Sequence, residues 1–187
     1  MARKKEYIED EVIEKAMALF WRNGYEATSV RMLEKEMGIN QFSIYSSFGN
    51  KQGVFLESIK SYRKKICSIT DKLEKSNNGI IGLKQYFYDF IAFSRIDNFK
   101  KGCLVTNTFI ELGEHGDPAI MHELQVFFNE IRSLMITNLK HDKSKSEKMV
   151  ESNANYLAVS LLGLSPASKI LNDKQLADFI ETAFSNL

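Results

Sequence analysis

The sequence predicts an all-α protein, and three observations support that fold class. Only two prolines, Pro118 and Pro166, interrupt 187 residues, so long stretches are free of helix-breaking residues. These stretches are rich in Leu, Ile, Glu, Lys and Met, which favour helix. Their apolar residues recur at steps of three and four, which places them on one face of a helix. With 44% hydrophobic residues, the chain can bury a sizeable core.

The first two helices are predicted from their apolar faces and from the glycines that end them. The first runs from residue 6 to Gly24, which can serve as its C-cap. Thr28 or Ser29 can cap the second helix, which closes at Gly38. The inward-facing residues of the two helices are predicted to be Ile8, Val12, Ile13, Ala16, Leu19, Phe20, Val30, Leu33 and Met37.

A third, very short helix is predicted to begin at the N-cap Asn40 and to end near Ser47, with Ile44 turned inward. A long helix starts after Asn50 and fades in the polar segment 75–79. Its apolar residues again recur at helical spacing, so this helix also has a face to bury.

Five further helices are predicted, and two of them have clear start signals. Asp117 is a cap followed by Pro118 at the first helical position. Asn172, with Gln175 three residues later, resembles a capping box. The predicted ranges are 80–95, 103–112, 117–140, 146–164 and 172–187.

The short second and third helices, joined at Gly38, form the pattern of a helix-turn-helix, whose second helix fits the major groove of B-DNA. Gln41 can read adenine through two hydrogen bonds, and Phe42 can meet a thymine methyl group. Tyr45 and the serine hydroxyls suit phosphates, and Lys51 is placed to reach one. Short helices separated by glycine also occur in helical proteins that never touch DNA. Periodicity alone therefore leaves both interpretations open.

Composition and motifs exclude several function classes. The net charge of +1 at pH 7 favours no particular partner, although the first 65 residues carry a small positive excess. No apolar run approaches the roughly 18 residues of a membrane span, so we expect a cytoplasmic protein. The sequence contains no glycine-rich phosphate loop, no Gly-x-Ser-x-Gly elbow and no paired metal ligands. We therefore predict that the chain is not an enzyme and holds no cofactor or structural metal.

Residues 18–55 carry a longer pattern, which consists of Leu19, Phe20, Gly24, Tyr25, Thr28, Ser29, Val30, Gly38, Ile39, Ser43, Ile44, Tyr45, Phe48, Lys51 and Phe55. In its order and spacing, this pattern strongly resembles the N-terminal domain of the TetR family of transcriptional regulators. The resemblance implies a dimeric, all-helical regulator, usually a repressor. It further implies a three-helix DNA-binding domain, residues 1–50 here, and a larger effector-binding and dimerisation domain, residues 51–187.

The same resemblance assigns roles within the helix-turn-helix. Tyr45 and Lys51 match positions that usually touch phosphate, and residues 41–43 match positions that usually face bases. Gln41, Phe42 and Ser47 stand where many relatives carry Lys or Arg, Gly or Pro, and His, so the operator sequence stays open. The candidate DNA-binding residues are Thr28, Ser29, Arg31, Gln41, Phe42, Ser43, Tyr45, Ser46 and Lys51.

An aromatic set in the second half can line a cavity for an apolar or aromatic effector, or can simply be core. Cys103 follows two lysines and a glycine at a predicted helix start, where the helix dipole and nearby ammonium groups favour thiolate. A Gly-Cys here also resembles a TetR subgroup in which some members sense reactive electrophiles. The alternative is a packing cysteine, as expected for Cys67. The candidate effector-binding residues are Tyr86, Phe90, Phe93, Cys103, Phe109, Phe127 and Tyr156.

The last two predicted helices are apolar enough to need a partner, and we expect them to form a four-helix seam with a second copy. The alternative is that they close the monomer's own core. A dimer would hold its recognition helices about 34–36 Å apart on a palindromic operator, and an effector that favours another spacing would weaken binding. The helix after Lys51 is predicted to carry this coupling. The predicted seam residues are Leu157, Leu161, Leu164, Leu176, Phe179, Ile180 and Phe184.

The sequence thus predicts a ligand-responsive transcriptional regulator, a repressor that a small molecule or a reactive electrophile releases from double-stranded DNA. Two other classes remain open. One is a helical protein-interaction module that uses the short helices for protein contacts. The other is a thiol-dependent enzyme without DNA binding.

Overall fold

A computed structural model of the chain describes residues 7–76, 78–95, 100–185 and 187. Within these residues the secondary structure is helical, with no strand, and the predicted all-α class is confirmed. None of the helices in this part is long and apolar enough to cross a membrane. The helices are α1 (Glu9–Asn23), α2 (Val30–Met37), α3 (Gln41–Phe48), α4 (Lys51–Ser76), α5 (Ile80–Ser94), α6 (Leu104–Leu112), α7 (Pro118–Leu139), α8 (Glu147–Ile170) and α9 (Asp173–Ser185).

Side-chain caps fix several helix starts at the predicted residues. Ser29, Asn40 and Asp117 each accept a hydrogen bond from a backbone N–H in the first turn of α2, α3 and α7. The capping box of α9 also forms, since Asn172 Oδ1 accepts from Gln175 N at 2.9 Å while Gln175 Oε1 accepts from Asn172 N at 3.1 Å. These bonds satisfy N–H groups that have no partner within the helix. The predicted start of the first helix, residue 6, lies outside the described residues.

Helix α8 is longer than its sequence predicts. The predicted end at residue 164 is wrong, because the helix continues through Pro166. The guanidinium of Arg95 donates to the carbonyl oxygens of Ser168 at 3.1 Å and Leu171 at 2.6 Å. Carbonyl groups at a helix C-terminus lack intrahelical partners and favour a cation. The last turn of α8 is therefore supported by a side chain that follows α5, which local periodicity does not reveal.

The first three helices share their core with α4. Helix α1 packs against α4 and α2, and α3 packs against α2 and α4. Phe20 of α1 and Phe55 of α4 are both buried and meet edge to face, with their ring centroids 4.8 Å apart. Leu33, Met37 and Ile44 are also buried in this core. The helix-turn-helix thus needs α4 to cover its apolar side.

Helix α4 also belongs to the second half of the molecule. Beyond Phe55 its buried residues continue through Ile66 to Leu73, and the helix packs against α5 and α7. The apolar core is one continuous cluster across the predicted domain boundary at residues 50 and 51. A division at that point stays a prediction, since α4 contributes to both sides of it.

Replacing Arg95 with alanine is expected to lower the free energy of unfolding by roughly 1–3 kcal/mol, because two carbonyl oxygens lose a charged donor. Urea unfolding at one protein concentration measures the change. The matched control is Lys174→Ala, which removes an exposed ion pair with Asp178 on α9 and should cost less than about 0.5 kcal/mol. Equal losses in both variants would contradict the role of Arg95 at the end of α8.

Candidate nucleic-acid interface and apolar cavity

Helix α3 has a buried side and an outward side. Ile44 is fully buried, whereas Phe42 on the opposite side is 82% exposed. The outward side combines amide and hydroxyl groups with aromatic surface, a mixture that suits base edges and phosphates. The predicted DNA contacts that the structure leaves exposed are Ser29, Arg31, Gln41, Phe42, Tyr45 and Ser46.

Local interactions hold α3 in this orientation. Gly38 has φ of 71°, a left-handed conformation that glycine adopts readily, and it turns the chain from α2 towards α3. Glu34 of α2 accepts a hydrogen bond from Gln41 N at 2.5 Å. Gln41 Nε2 in turn donates to Tyr45 Oη at 2.8 Å. Two of the predicted DNA-contacting side chains are therefore paired across one turn of the helix.

Three predicted DNA contacts have other surroundings in the structure. Thr28 is fully buried and its hydroxyl donates to the Gly24 carbonyl at 2.6 Å, so this side chain is not available to a phosphate. Ser43 is half-buried. Lys51 Nζ donates to the Tyr25 carbonyl at 3.0 Å and lies 4.2 Å from the centroid of that ring. The position of Lys51 beside the helix-turn-helix is thus fixed by the α1–α2 turn.

The α1–α2 turn is also held by a residue that the sequence did not single out. Glu111 of α6 accepts hydrogen bonds from the backbone N–H groups of Tyr25 and Glu26, both at 2.8 Å. The Tyr25 ring packs against Phe20 and Phe55, and burial, followed by the charge of Glu26, raises the pKa of its phenol. Glu111 and Tyr25 are 86 residues apart in the sequence, so no local sequence signal could have revealed this contact.

A small apolar cavity lies among α4, α5, α6, α7 and α8. Its volume is about 30 Å³, which is enough for water but far below the volume of a typical ligand pocket. Its walls are almost entirely apolar. The side chains that line it include Ile66, Tyr86, Phe90, Cys103, Phe127 and Leu161.

The cavity gathers some of the predicted effector-binding residues and leaves others out. Those that line it are Tyr86, Phe90, Cys103 and Phe127. Phe93 lies among other aromatic side chains, with its ring stacked on Trp21 at 5.6 Å. Phe109 lines a neighbouring groove. Tyr156 lines neither space, because its side chain is exposed on the outer face of α8, and an effector-binding role for it stays a prediction.

A groove of about 380 Å³ adjoins the cavity beside α6 and α7. Thr106, Phe128 and Leu162 line both spaces, so they form the wall between them. Ile110, which is largely exposed, lies at the groove.

Cys103 is held in a buried hydrogen-bond network at the start of α6. Its Sγ accepts from Tyr62 Oη at 3.2 Å, and its N–H donates to Ser165 Oγ at 2.9 Å. Burial, followed by the neighbouring Cys103, raises the pKa of Tyr62 well above its usual value. The Tyr62 hydroxyl therefore keeps its proton at neutral pH and remains a donor to the sulfur.

The cations near Cys103 differ from those that the sequence predicts. Lys101 lies over the Trp21 ring, with Nζ 5.1 Å from the ring centroid. Lys169 of α8 interacts electrostatically with Cys103, and its pKa is lowered by burial more than the cysteine raises it. In the part of the chain that the structure describes, no group of three or more His, Cys, Asp or Glu side chains could hold a metal ion.

The predicted dimer seam lies mostly inside the protomer. Leu161 is half-buried at the cavity and Phe179 is partly exposed. The seam prediction is wrong for the other residues, because their own subunit already covers them. These residues instead close the core of the monomer, which was the alternative interpretation. The buried residues are Leu157, Leu164, Leu176, Ile180 and Phe184.

The outer faces of α8 and α9 carry a second set of apolar residues, here called the outer stripe. It consists of Tyr156, Val159, Gly163, Ile170 and Phe179, of which Val159 is 67% and Ile170 80% exposed. A Cβ built at Gly163 would meet no atom within 4 Å, so this part of α8 is open to a close neighbour. The α8 members recur at steps of three, four and seven. That spacing is a signal of a second apolar face that the sequence could have provided.

Comparison with known proteins finds the same helix-turn-helix pattern. The family model described as "Bacterial regulatory proteins, tetR family" matches residues 12–58. YezE of Bacillus subtilis (strain 168), an uncharacterized HTH-type transcriptional regulator, is 27% identical to this chain. The alignment has 194 positions and covers 100% of each chain. IcaR of Staphylococcus aureus, a negative transcriptional regulator of the biofilm operon icaADBC, is 30% identical over 87 residues, or 45% of this chain and 46% of IcaR.

A solved structure is similar over nearly the whole chain. It is a cysteine mutant of the TetR family transcriptional regulator CifR, complexed with 26bp double-strand operator DNA. It is 26% identical, covers 98% of each chain and has a TM-score of 0.86. The likeness therefore extends through both the helix-turn-helix and the helices around the cavity.

In the native protein, Cys67 is expected to react with N-ethylmaleimide roughly tenfold or more faster than Cys103, because Cys67 is exposed and Cys103 is buried. Peptide mass spectrometry after brief exposure measures both sites in one sample. Unfolding in urea is the control, in which the two rates should converge. A native protein that is labelled first at Cys103 would contradict the protected thiol and favour a reactive one.

Proposed function

We propose, from the premise that this chain is a transcriptional regulator of the TetR family, that it binds a palindromic operator through α3 and is released by a small-molecule effector. The family assignment that residues 18–55 predict is confirmed by these relatives. The outcome on DNA is repression, as the name of IcaR states for that relative. With DNA as its partner, the protein is expected to work in the cytoplasm.

The outward side of α3 carries the proposal. Gln41 and Tyr45 are exposed and paired, Phe42 projects beside them, and Ile44 anchors the helix in the core. In the major groove, the amide of Gln41 suits an adenine and the ring of Phe42 suits a thymine methyl group. The hydroxyls of Tyr45 and Ser46 suit phosphate oxygens. Gln41 and Phe42 would thus read the base sequence, whereas Tyr45 and Ser46 would fix the position of the helix on the duplex.

The outer stripe of α8 and α9 supports a homodimer in which α8 and α9 of two copies form a four-helix seam. Exposed apolar residues aligned on one face favour a protein partner, and a second copy offers the same stripe. Gly163 permits the two α8 backbones to approach closely. The dimer would place two copies of α3 about 34–36 Å apart, one turn of the duplex, which is why a palindrome is the proposed target.

The apolar cavity supports an effector that is itself apolar or aromatic. Its volume of about 30 Å³ is far below that of a typical ligand pocket, so an effector must displace side chains to bind there. Thr106, Phe128 and Leu162 form the wall through which it would pass from the groove. Because the effector binds the expanded state better than the closed one, it shifts the population away from the DNA-binding state.

Gln41→Ala is expected to weaken binding to the preferred duplex by roughly tenfold or more, because one bidentate base contact is lost. Fluorescence anisotropy at fixed salt, on a duplex that the wild-type protein selects from a random library, measures the affinity. Gln125→Ala is the matched control, since Gln125 is an exposed glutamine on α7 that also donates to a residue one turn further on. The DNA-reading role of α3 fails if both variants bind as tightly as the wild type.

Val159→Glu is expected to convert the dimer to a monomer at micromolar concentration, because it places a charge in the proposed seam. Sedimentation velocity measures the oligomeric state. Ile81→Glu is the matched control, since Ile81 on α5 is comparably exposed but lies outside the outer stripe. A wild-type protein that sediments as a monomer, or a Val159→Glu dimer, would contradict the proposed interface.

A further inference from the structure

We propose that Glu111 is the positioning residue that ties α6 to the helix-turn-helix, so that a displacement of α6 at the cavity changes the orientation of α3. The inference rests on the proposed function, since α3 is the helix assigned to DNA. It differs from the coupling through α4 that the sequence predicts, because it follows a second route from the cavity to the α1–α2 turn.

The contact between Glu111 and the turn is close and uses both carboxylate oxygens. Oε2 accepts from Tyr25 N and Oε1 from Glu26 N, each at 2.8 Å. Gly24, with φ of 86°, brings the backbone against the carboxylate, and a Cβ built there would lie 2.6 Å from Oε1. A side chain at this position would therefore displace the Glu111 carboxylate from the turn. Glycine at this position allows both the positive φ of the turn and the close approach of the Glu111 carboxylate.

The same turn determines where α2 begins. The Tyr25 carbonyl accepts from Thr28 N at 3.3 Å and from Lys51 Nζ at 3.0 Å. The Thr28 hydroxyl donates to the Gly24 carbonyl at 2.6 Å, one residue before the α2 cap Ser29. Because α3 packs on α2 and α4, a shift of this turn reaches the recognition helix through α2.

The other end of α6 lies at the cavity. Cys103 N, at the start of the helix, donates to Ser165 Oγ of α8 at 2.9 Å, and Val105 and Thr106 line the cavity. Helix α6 has nine residues, so it spans about 13 Å. A helix of this length moves as a rigid body, and a side chain or ligand that pushes on its first turn also moves Glu111 in its last turn.

The mechanical part of the proposal is tested without DNA. Ala158 of α8 is buried and lines the cavity together with Val105 and Thr106 of α6, so Ala158→Val and Ala158→Leu add volume beside α6 and are expected to displace it. Either substitution should raise the amide exchange rates of Tyr25 and Glu26 by roughly fivefold or more, as measured by NMR. Ala158→Val, with the smaller added volume, serves if Ala158→Leu does not fold. Unchanged exchange at both amides overturns the inference.

The regulatory part is tested with a double-mutant cycle on the duplex selected by the wild-type protein. The Ala158 substitution should lower duplex affinity roughly fivefold or more in the wild-type background and by no more than about twofold beside Glu111→Ala. Glu114→Ala, an exposed acidic residue just after α6, is the matched control and should leave the full effect in place. An undiminished effect beside Glu111→Ala overturns the inference. If no duplex is selected, the proposed function fails, and the exchange rates decide the role of Glu111 separately.

Discussion

The packing of α4 against α1 holds the helix-turn-helix in place and links it to the remaining helices. Phe55 of α4 fits against Phe20 of α1, and both rings contact Tyr25 in the α1–α2 turn. Helices as short as α2 and α3 have little stability of their own in water, so their order comes from the core that α1 and α4 provide. The exposed side of α3 is available to a partner because its other side is anchored there through Ile44.

The same helix α4 forms a wall of the apolar cavity, where Ile66 faces residues of α5 and α7. Helix α3 and the cavity therefore share one continuous core, so a rearrangement at the cavity is expected to be felt at α3. Because the core is closely packed, a displacement of side chains at the cavity can also change the position of α3. A cavity of about 30 Å³ cannot accept an effector without displacing the side chains that line it, and α4 and α6 both lead from it to the helix-turn-helix.

Local physics predicted most of the fold. Helical periodicity, with caps such as Asn40 and Asp117 and the left-handed Gly38, located the helices and the helix-turn-helix. The errors in the dimer seam and in the end of α8 have one cause, which is that periodicity reveals an apolar face but not what covers it. The assumed seam residues, among them Leu157, are covered by their own subunit, and the support that Arg95 gives to α8 is a long-range contact. The hydrogen bonds of Glu111 to the α1–α2 turn could not be predicted either, because they join residues far apart in the sequence. The outer stripe of α8, in contrast, could have been predicted from its spacing.

The proposed function requires two copies of α3 to read DNA together, one turn of the duplex apart. Selection of duplexes from a random library by the purified protein, followed by footprinting of the enriched sequence, tests it most directly. We expect an inverted repeat whose half-site centres are separated by about 10 base pairs and protected on one face of the duplex. Failure to enrich any sequence, or enrichment of a single unrepeated site, would contradict it.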